Sequence, residues 1–373
     1  MRVAFYAPLK PPTHGTPSGD RRIARLLIDA LALAGHEIEL ASDFRSYEGT
    51  GDPALQARLR DEGQALARRL VTNWRAKPLA KRPELWFTYH LYYKAPDWLG
   101  PFAAAELGIP YVLAEASHAP KRAGGAWAIG HDATARALGC AARVFSLSRD
   151  DIAGLLPLVP KDRLAFLPPF LDPARYVLAS GEKRSHRYRL AKQLSLPSEE
   201  PWIVVAAMMR EGDKLASYRT LAGTLSRLRE VPWQLLVAGD GPARGLVENA
   251  FRKLSSRVRF LGALEEDPLA RVYAACDLLA WPAVNEAFGM ALLEAQAAGL
   301  PVVSCALRGV PDVVVDGRTG LLAPALDEAA LAARVRELLT DESKRTTMGR
   351  EAAWFVREER TAQIAARQFR KLP

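Results

Sequence analysis

Short apolar runs of strand length alternate with amphipathic segments of helix length along the whole chain. Apolar strands that are separated by helices are typical of parallel sheets covered on both faces. One series of predicted strands fills the first half of the chain, and a second series follows it. Two series in succession predict two doubly wound α/β domains that face each other across a cleft. The predicted strands are 3–7, 37–41, 85–89, 111–114 and 144–147, then 202–207, 234–238, 258–261, 278–281 and 301–304.

A single eight-stranded α/β barrel would also fit this alternation. It explains less well the proline-rich break Leu167-Pro168-Pro169-Phe170 and the charged stretch 182–192. The length of 373 residues also exceeds what one hydrophobic core usually spans. We therefore predict an N-terminal domain over 1–170 and a C-terminal domain over 171–350. Residues 351–373 are predicted to form a closing helix, over 351–372, that packs back on the N-terminal domain.

The composition is that of a soluble globular protein, with 49% hydrophobic and 25% charged residues. The three cysteines, Cys140, Cys276 and Cys305, lie far apart, which excludes a disulfide framework or a zinc cluster and favours a reducing compartment. The apolar run at the start is too short for a signal peptide, and no run reaches the roughly 18 residues of a membrane span. A cytoplasmic protein is expected.

The net charge of +9 is concentrated locally, since basic residues outnumber Asp61 and Glu62 within 58–82. Four leucines, at 55, 59, 66 and 70, would lie along one side of a helix there. Packing of that stripe on the sheet is the favoured interpretation, and peripheral contact of 53–82 with an anionic membrane is the alternative. No nucleic-acid-binding signature accompanies the charge, so nucleic acid is not an expected partner. The basic residues are Arg58, Arg60, Arg68, Arg69, Arg75, Lys77, Lys81 and Arg82.

The stretch 285–295 follows a predicted strand and begins a helix that Gly299 stops. A helix start offers unpaired N–H groups and the positive end of the helix dipole, which favour a phosphate. Gly289 lets a ligand approach the backbone closely. Glu286 precedes the helix and Glu294 lies about two turns later, and carboxylates so placed suit the hydroxyls of a sugar. An isolated pair of glutamates would more often mark an ordinary surface helix.

Residues 272–323 resemble the donor-binding half of the family 4 glycosyltransferases, which have the GT-B fold of two Rossmann-like domains. The resemblance is strong over 200–325 and loose over 1–170. The segments that carry it are Tyr273-Ala274-Ala275-Cys276-Asp277-Leu278-Leu279, the pair Glu286 and Glu294 with seven residues between, Ala295-Gln296-Ala297-Ala298-Gly299-Leu300-Pro301, Gly309-Val310-Pro311-Asp312, and Asp316-Gly317-Arg318-Thr319-Gly320. Upstream, Gly239-Asp240-Gly241-Pro242 also fits, and we interpret it as a tight turn rather than a dinucleotide fingerprint.

The resemblance implies a role for each matching residue. Glu294 would bind the ribose hydroxyls of a sugar nucleotide, and Glu286 would hold the transferred sugar. The backbone of Phe288, Gly289 and Met290 would meet the diphosphate or the sugar. A further residue, Leu264, lies where similar enzymes hold the base.

Similar enzymes also place an arginine and a lysine, five or six residues apart, on the diphosphate. Lys214 fits the lysine, but Met208 and Met209 occupy the arginine positions, so Arg210 is the predicted substitute. Relatives usually carry paired glycines in the loop before the first helix, and here only Gly19 matches.

The N-terminal half supplies the other candidates. His118 matches the place where similar enzymes carry a histidine at the reaction centre, and it is the predicted catalytic partner of Glu286. His90, after another strand, could line the same cleft. His36 is expected to be structural. Asp20 is expected to cap the first helix, and Arg21 and Arg22 are left open between phosphate binding and a surface position.

We therefore expect a retaining glycosyltransferase of hexosyltransferase type that takes a nucleotide-sugar donor, UDP- or GDP-linked, and a glycan or lipid acceptor. The chain contains no Asp-x-Asp, so neither a metal nor another cofactor is expected. Loops 8–19, 43–53 and 118–131 would select the acceptor. A sugar-nucleotide epimerase, a phosphorylase and a catalytically silent sugar-nucleotide-binding subunit remain as alternatives, because fold alone does not exclude them.

Overall fold

The structure is a computed structural model that describes residues 1–16, 18–287 and 289–373. The chain divides into two compact units. The N-terminal unit comprises residues 1–168 together with 362–373, and the C-terminal unit comprises residues 169–361.

The N-terminal unit contains a six-stranded parallel sheet with the strand order β2-β1-β3-β4-β5-β6. Its strands are β1 (Arg2–Tyr6), β2 (Glu37–Ser42), β3 (Leu85–Leu91), β4 (Tyr111–Ala116), β5 (Arg143–Ser146) and β6 (Leu164–Phe166). Its helices are α1 (Gly19–Leu33), α2 (Pro53–Arg75), α3 (Gly100–Leu107), α4 (Ala128–Cys140), α5 (Arg149–Leu155) and, from the end of the chain, α15 (Ala362–Phe369).

The C-terminal unit repeats this architecture, with a parallel sheet in the order β12-β11-β10-β7-β8-β9. Its strands are β7 (Trp202–Ala206), β8 (Gln234–Ala238), β9 (Val258–Gly262), β10 (Leu278–Ala280), β11 (Val302–Cys305) and β12 (Gly320–Ala323). Its helices are α6 (Ala174–Gly181), α7 (Lys183–Leu194), α8 (Asp213–Ser226), α9 (Arg244–Ala250), α10 (Glu266–Ala275), α11 (Met290–Ala297), α12 (Val310–Val313), α13 (Glu328–Thr340) and α14 (Glu342–Glu359). The prediction of two doubly wound parallel sheets is confirmed.

The central strands of both sheets are buried on both faces, as their continuous apolar sequences predict. One polar network lies within the N-terminal core. The carboxylate of Asp97 accepts hydrogen bonds from the hydroxyls of Thr88 and Tyr111 and from the N–H groups of Leu99 and Gly100. The network satisfies a buried charge and fixes the start of α3.

The end of the chain differs from the single helix predicted over 351–372. It forms two helices, because the backbone at 360–361 pairs with Leu171 instead of continuing the helix. The N–H of Leu171 donates to the carbonyl of Arg360, and Leu171 forms a β-bridge with Thr361. The first helix, α14, belongs to the C-terminal unit, whereas α15 packs against α1 in the N-terminal unit.

The basic segment 53–82 is a helix only as far as Arg75. Leu66 and Leu70 are half-buried against the core of the unit, whereas Arg68 and Arg69 are exposed. These two leucines of the stripe are therefore used for packing within the unit. Among the described residues, no helix is long and apolar enough to cross a membrane.

Candidate functional site

Four loops of the C-terminal unit follow the neighbouring strands β10, β7, β8 and β9. Because the strands are parallel, these loops meet at one edge of the sheet. In open α/β sheets, ligands bind at the carboxyl ends of the strands. The predicted donor residues of this unit lie in or directly beside these loops.

The loop after β7 is held in place by the turn after β8. The N–H of Met209 donates to the carbonyl of Asp240 over 2.9 Å, and the N–H of Ala243 donates to the carbonyl of Met209 over 3.0 Å. Gly239 and Gly241 have φ values of 145° and 152°. A Cβ atom at Gly239 would lie 2.0 Å from the carbonyl oxygen of Ala207. The Gly-Asp-Gly segment is thus a tight turn that presses on the neighbouring loop.

Lys214 and Glu286 meet at this edge, although they are 72 residues apart in sequence. Lys214 lies in the first turn of α8, and its ammonium group forms an ion pair with the carboxylate of Glu286. Its Nζ also lies 5.8 Å from the ring centroid of Trp281. The side chains of Lys214 and Glu286 are 31% and 21% exposed, so both charges remain accessible from solvent. The structure therefore brings together two of the predicted site residues.

The arginine proposed as a substitute lies on the same loop. Arg210 is exposed, and its Nη2 lies 3.0 Å from the sulfur of Met208. In the part of the chain that the structure describes, no carboxylate pairs with Arg210. Met209 is fully buried, which explains why an apolar residue stands there. Arg210 is a cation at the edge that no acid of the described chain neutralises.

The loop after β10 has an unusual backbone. Ala283 and Asn285 have φ values of 56° and 54°, which non-glycine residues rarely adopt. The amide of Asn285 donates to Asp213 over 2.8 Å and accepts from Arg308 over 3.0 Å. Polar contacts to α8 and to the loop after β11 thus hold a strained loop in position. Strain of this kind is concentrated at functional sites.

Helix α11 begins directly after this loop. Gly289, with φ 70°, precedes Met290, the first residue of the helix, while Phe288 lies outside the described residues. Glu294 is 5% exposed, and the hydroxyl of Tyr273 donates to its Oε2 over 3.4 Å. The helix start and the predicted carboxylate of Glu294 therefore lie on the same helix, α11.

Leu264, the predicted base contact, is half-buried in the loop after β9. The N–H of Gly239 donates to the carbonyl of Gly262 over 2.7 Å, which ties this loop to the turn after β8. Leu264 accordingly belongs to the same edge of the sheet as Lys214 and Glu286.

In the N-terminal unit, His118 follows β4 and is half-buried. Its ring lies 4.6 Å from the ring of His131, at an angle of 37°. Burial and the neighbouring His131 lower the pKa of His118, so the imidazole is neutral at pH 7. The Nδ1 atom of His118 is buried without a hydrogen-bond partner among the described residues. His131 was not among the predicted residues.

His90 forms a second polar cluster at the same edge of the N-terminal sheet. Its Nδ1 lies 3.2 Å from Asp20 and 3.9 Å from Glu115. Burial alone would lower the pKa of His90, but the carboxylates of Glu115 and Asp20 outweigh it and raise the pKa to about 9. Burial raises the pKa of Glu115, in spite of His90. The sequence indicated His90 by its position alone and gave no sign of its acidic partners.

The prediction that Asp20 caps α1 is wrong. Ser18 is the capping residue, and its hydroxyl accepts from the N–H of Arg21 over 3.2 Å. Asp20 instead turns to His90, because a carboxylate gains more from a charged imidazole than from another N–H. The guanidinium of Arg21 donates to the carbonyl of His14 over 2.8 Å and so holds the preceding loop.

Gly19 is the first residue of α1, and a Cβ atom added there would meet nothing within 4 Å. The fold itself therefore does not require glycine at this position. Among the described residues, no group of three or more His, Cys, Asp or Glu side chains could hold a metal ion.

Comparison with known proteins finds a family match within the C-terminal unit. Residues 200–341 match the family described as Glycosyl transferases group 1. A D-inositol 3-phosphate glycosyltransferase of Corynebacterium efficiens is 29% identical over 204 residues, which are 52% of this chain and 47% of the relative. The corresponding enzyme of Salinispora tropica is 29% identical over 291 residues, which are 72% of this chain and 60% of the relative. The chain thus spans about half the length of the curated relatives it matches.

Solved structures show the fold of the whole chain. Anabaena Alr3699/HepE in complex with UDP has a TM-score of 0.74 and 17% identity, with 99% of this chain and 98% of that chain covered. Its complex with UDP-glucose has a TM-score of 0.68 and 18% identity over the same shares. The epimerase, phosphorylase and silent-subunit alternatives are not favoured, because the curated relatives are named glycosyltransferases. Residues 200–341 match the glycosyl transferases group 1 family, and the predicted resemblance is confirmed over these residues.

Proposed function

We propose that this protein transfers a sugar from a nucleotide-diphosphate sugar to an acceptor, with retention of the anomeric configuration. The observation that carries the proposal is the ion pair of Lys214 and Glu286 at the sheet edge where α11 begins. A cation that would bind the diphosphate and a carboxylate that would bind the sugar therefore lie side by side. The family match of residues 200–341 supports this assignment.

The diphosphate is proposed to bind Lys214, Arg210 and the N-terminal backbone of α11 at Gly289 and Met290. A diphosphate at Lys214 would compete with the carboxylate of Glu286 for the ammonium group. Glu286 would then be free to accept hydrogen bonds from the sugar hydroxyls. Binding of the donor and preparation of the sugar site are in this way one event.

The nucleoside is proposed to extend along α11 and towards the loop after β9. Glu294, two turns into the helix, would accept hydrogen bonds from the ribose, and Leu264 would contact the base. UDP-sugars are the first donors to test, since Anabaena Alr3699/HepE was solved with UDP and with UDP-glucose. GDP-sugars follow. The acceptor is proposed to be a glycan or a lipid-linked sugar.

The chemistry requires stabilisation of two developing charges. The departing diphosphate becomes more negative, and Lys214, Arg210 and the dipole of α11 would stabilise it. The sugar acquires oxocarbenium character, and the carboxylate of Glu286 would stabilise its positive charge. Neutral His118 would accept a hydrogen bond from a hydroxyl of the reacting sugar or donate one to it. We propose that neither a metal nor another cofactor takes part.

Glu286→Ala tests the proposal, with the exposed Glu342→Ala as the matched control. We expect Glu286→Ala to lower transfer from UDP-glucose about 100-fold, because transition-state stabilisation is lost. Donor binding should raise the unfolding temperature of the unaltered protein. Lys214→Ala should abolish that shift, and Glu342→Ala should preserve both transfer and shift. EDTA should leave transfer unchanged.

Unchanged transfer by Glu286→Ala would favour a silent binding subunit. Conversion of the donor without any acceptor would indicate an epimerase. Loss of activity with EDTA and its return with magnesium would contradict the metal-independent mechanism.

Peripheral contact with an anionic membrane through 53–82 is proposed as purely electrostatic. Leu66 and Leu70 pack within the unit, while Arg68 and Arg69 remain exposed. Basic side chains near an anionic surface contribute about 1 kcal/mol each.

A further inference from the structure

A run of aromatic rings leads away from His90 along the surface of the N-terminal unit. The ring centroids of His90 and Tyr92 are 5.2 Å apart, those of Tyr92 and Tyr93 are 5.5 Å apart, and those of Tyr93 and Trp127 are 5.6 Å apart. The run joins the loop after β3 to the segment just before α4. It connects the His90–Asp20 pair to a group of basic side chains.

Two cations lie over the far end of this run. The ammonium group of Lys94 lies 4.5 Å from the ring centroid of Trp127. The guanidinium of Arg122 lies 5.4 Å from the ring of Tyr93 and 5.8 Å from that of Trp127. Aromatic faces attract cations electrostatically, so the rings hold both charges without neutralising them. We call Tyr93, Lys94, Arg122 and Trp127 the aromatic–basic surface.

No carboxylate of the described residues forms an ion pair with Lys94 or Arg122. Glu48, whose backbone is hydrogen-bonded to Lys94 and Trp127, is 2% exposed. Its carboxylate accepts from the N–H groups of Thr50 over 2.6 Å and Gly51 over 2.8 Å. The carboxylate is therefore occupied, and the aromatic–basic surface keeps its positive charge.

The surface is fixed by hydrogen bonds between three segments of the chain. The N–H of Glu48 donates to the carbonyl of Lys94 over 2.8 Å, and the indole N–H of Trp127 donates to the carbonyl of Glu48 over 3.1 Å. The amide of Gln56 donates to the carbonyl of Ala126 over 2.8 Å. Since the scaffold is already ordered, a ligand would lose little binding energy to ordering it.

We propose that the aromatic–basic surface binds the phosphate group of a phosphorylated sugar or polyol acceptor. The inference rests on the proposed transfer function and adds that the acceptor carries a phosphate group. Arg122 suits a phosphate because its planar fork donates two parallel hydrogen bonds, and Lys94 adds a point charge. The rings of Tyr92 and Tyr93 offer an apolar wall to the sugar. The aromatic run then leads to the His90–Asp20 pair, whose polar atoms suit a hydroxyl.

Calorimetric titration without any donor tests this inference. The probes are glucose 6-phosphate and glycerol 3-phosphate, each compared with glucose or glycerol. We expect the phosphorylated probes to bind at least about tenfold more tightly, and Arg122→Gln and Lys94→Gln each to weaken them roughly tenfold. Arg136→Gln, an exposed arginine on α4 of the same unit, is the matched control and should change nothing. Equal affinity for both members of a pair, or equal losses in all three variants, would overturn the inference.

A binding experiment with lipid vesicles distinguishes the two possible sources of the phosphate. Binding to vesicles of phosphatidylinositol phosphate that needs Arg122 would identify a lipid headgroup, and binding of the free sugar phosphate alone would identify a soluble acceptor. Thermal shift by UDP-glucose should be unchanged in Arg122→Gln. A protein that binds sugar phosphate but no nucleotide sugar would contradict the transfer function alone, whereas the reverse result would contradict the acceptor class alone.

Discussion

His90 and Glu115 both adopt positive φ values, 62° and 55°, which place their side chains beside each other at the ends of β3 and β4. This conformation costs a non-glycine residue free energy, so the contact between His90 and Glu115 has to compensate for it. The cluster therefore ties the stability of the N-terminal unit to the charge of one imidazole.

A pH dependence follows from this cluster. The pKa of His90 is raised from 6.5 to about 9, so its contribution to stability is full below pH 6.5 and is lost as the pH rises through 9. The shift corresponds to at most about 3 kcal/mol. In urea unfolding, His90→Gln should lower stability at pH 6 and have much less effect at pH 9.5. An equal loss at both values would show that the imidazole acts only by its packing.

Some of the candidate site residues could be predicted from the sequence, whereas their contacts with distant segments could not. Lys214, Glu286 and Glu294 could be proposed as site residues because each matches a motif along the chain. The contact between the rings of His118 and His131 could not be predicted, since it depends on how α4 packs beside the loop after β4. The contact of Asp20 with His90 escaped prediction for the same reason, because His90 lies on β3, far away in the sequence.

At the scale of elements, the turn after β8 controls the loop that carries Arg210. This loop and the turn exchange backbone hydrogen bonds, and the glycines of the turn allow the two backbones to touch. The sequence predicted a tight turn at Gly239-Asp240-Gly241. It could not predict that the turn would support the neighbouring loop, because that contact requires the order of β7 beside β8.

Gly239→Ala tests this support. A Cβ atom 2.0 Å from the carbonyl oxygen of Ala207 would force the two segments apart, at a cost of about 3 kcal/mol in the free energy of unfolding. Donor affinity should fall with it. Gly245→Ala in α9 is the control, since its Cβ would meet nothing within 4 Å and alanine favours a helix by up to about 1 kcal/mol. Similar stability of the two variants would contradict the supporting role.

For the whole molecule, the alternation of strands and helices predicted both sheets, because buried parallel strands leave a clear apolar signature. The break between α14 and α15 escaped prediction, since it depends on a bridge from Thr361 to the distant Leu171. Long-range pairing of this kind has no local signal in the sequence.

The proposed association with a membrane would depend on the whole chain and its net charge of +9. We expect co-sedimentation with liposomes to rise with the content of anionic lipid and to fall with salt. The double variant Arg68→Gln/Arg69→Gln should reduce it, and Arg252→Gln/Lys253→Gln, an equally exposed basic pair, should reduce it less. Binding that is independent of anionic lipid would remove the membrane proposal.

The placement of α15 has a consequence for the order in which the chain can mature. Phe369 packs its ring against Phe87 and Phe145, and His36 contacts its carbonyl oxygen over 3.0 Å. During synthesis, the N-terminal unit thus lacks a helix of its core until residues 362–369 have been translated. The C-terminal unit, which needs nothing beyond Thr361, has all of its residues first.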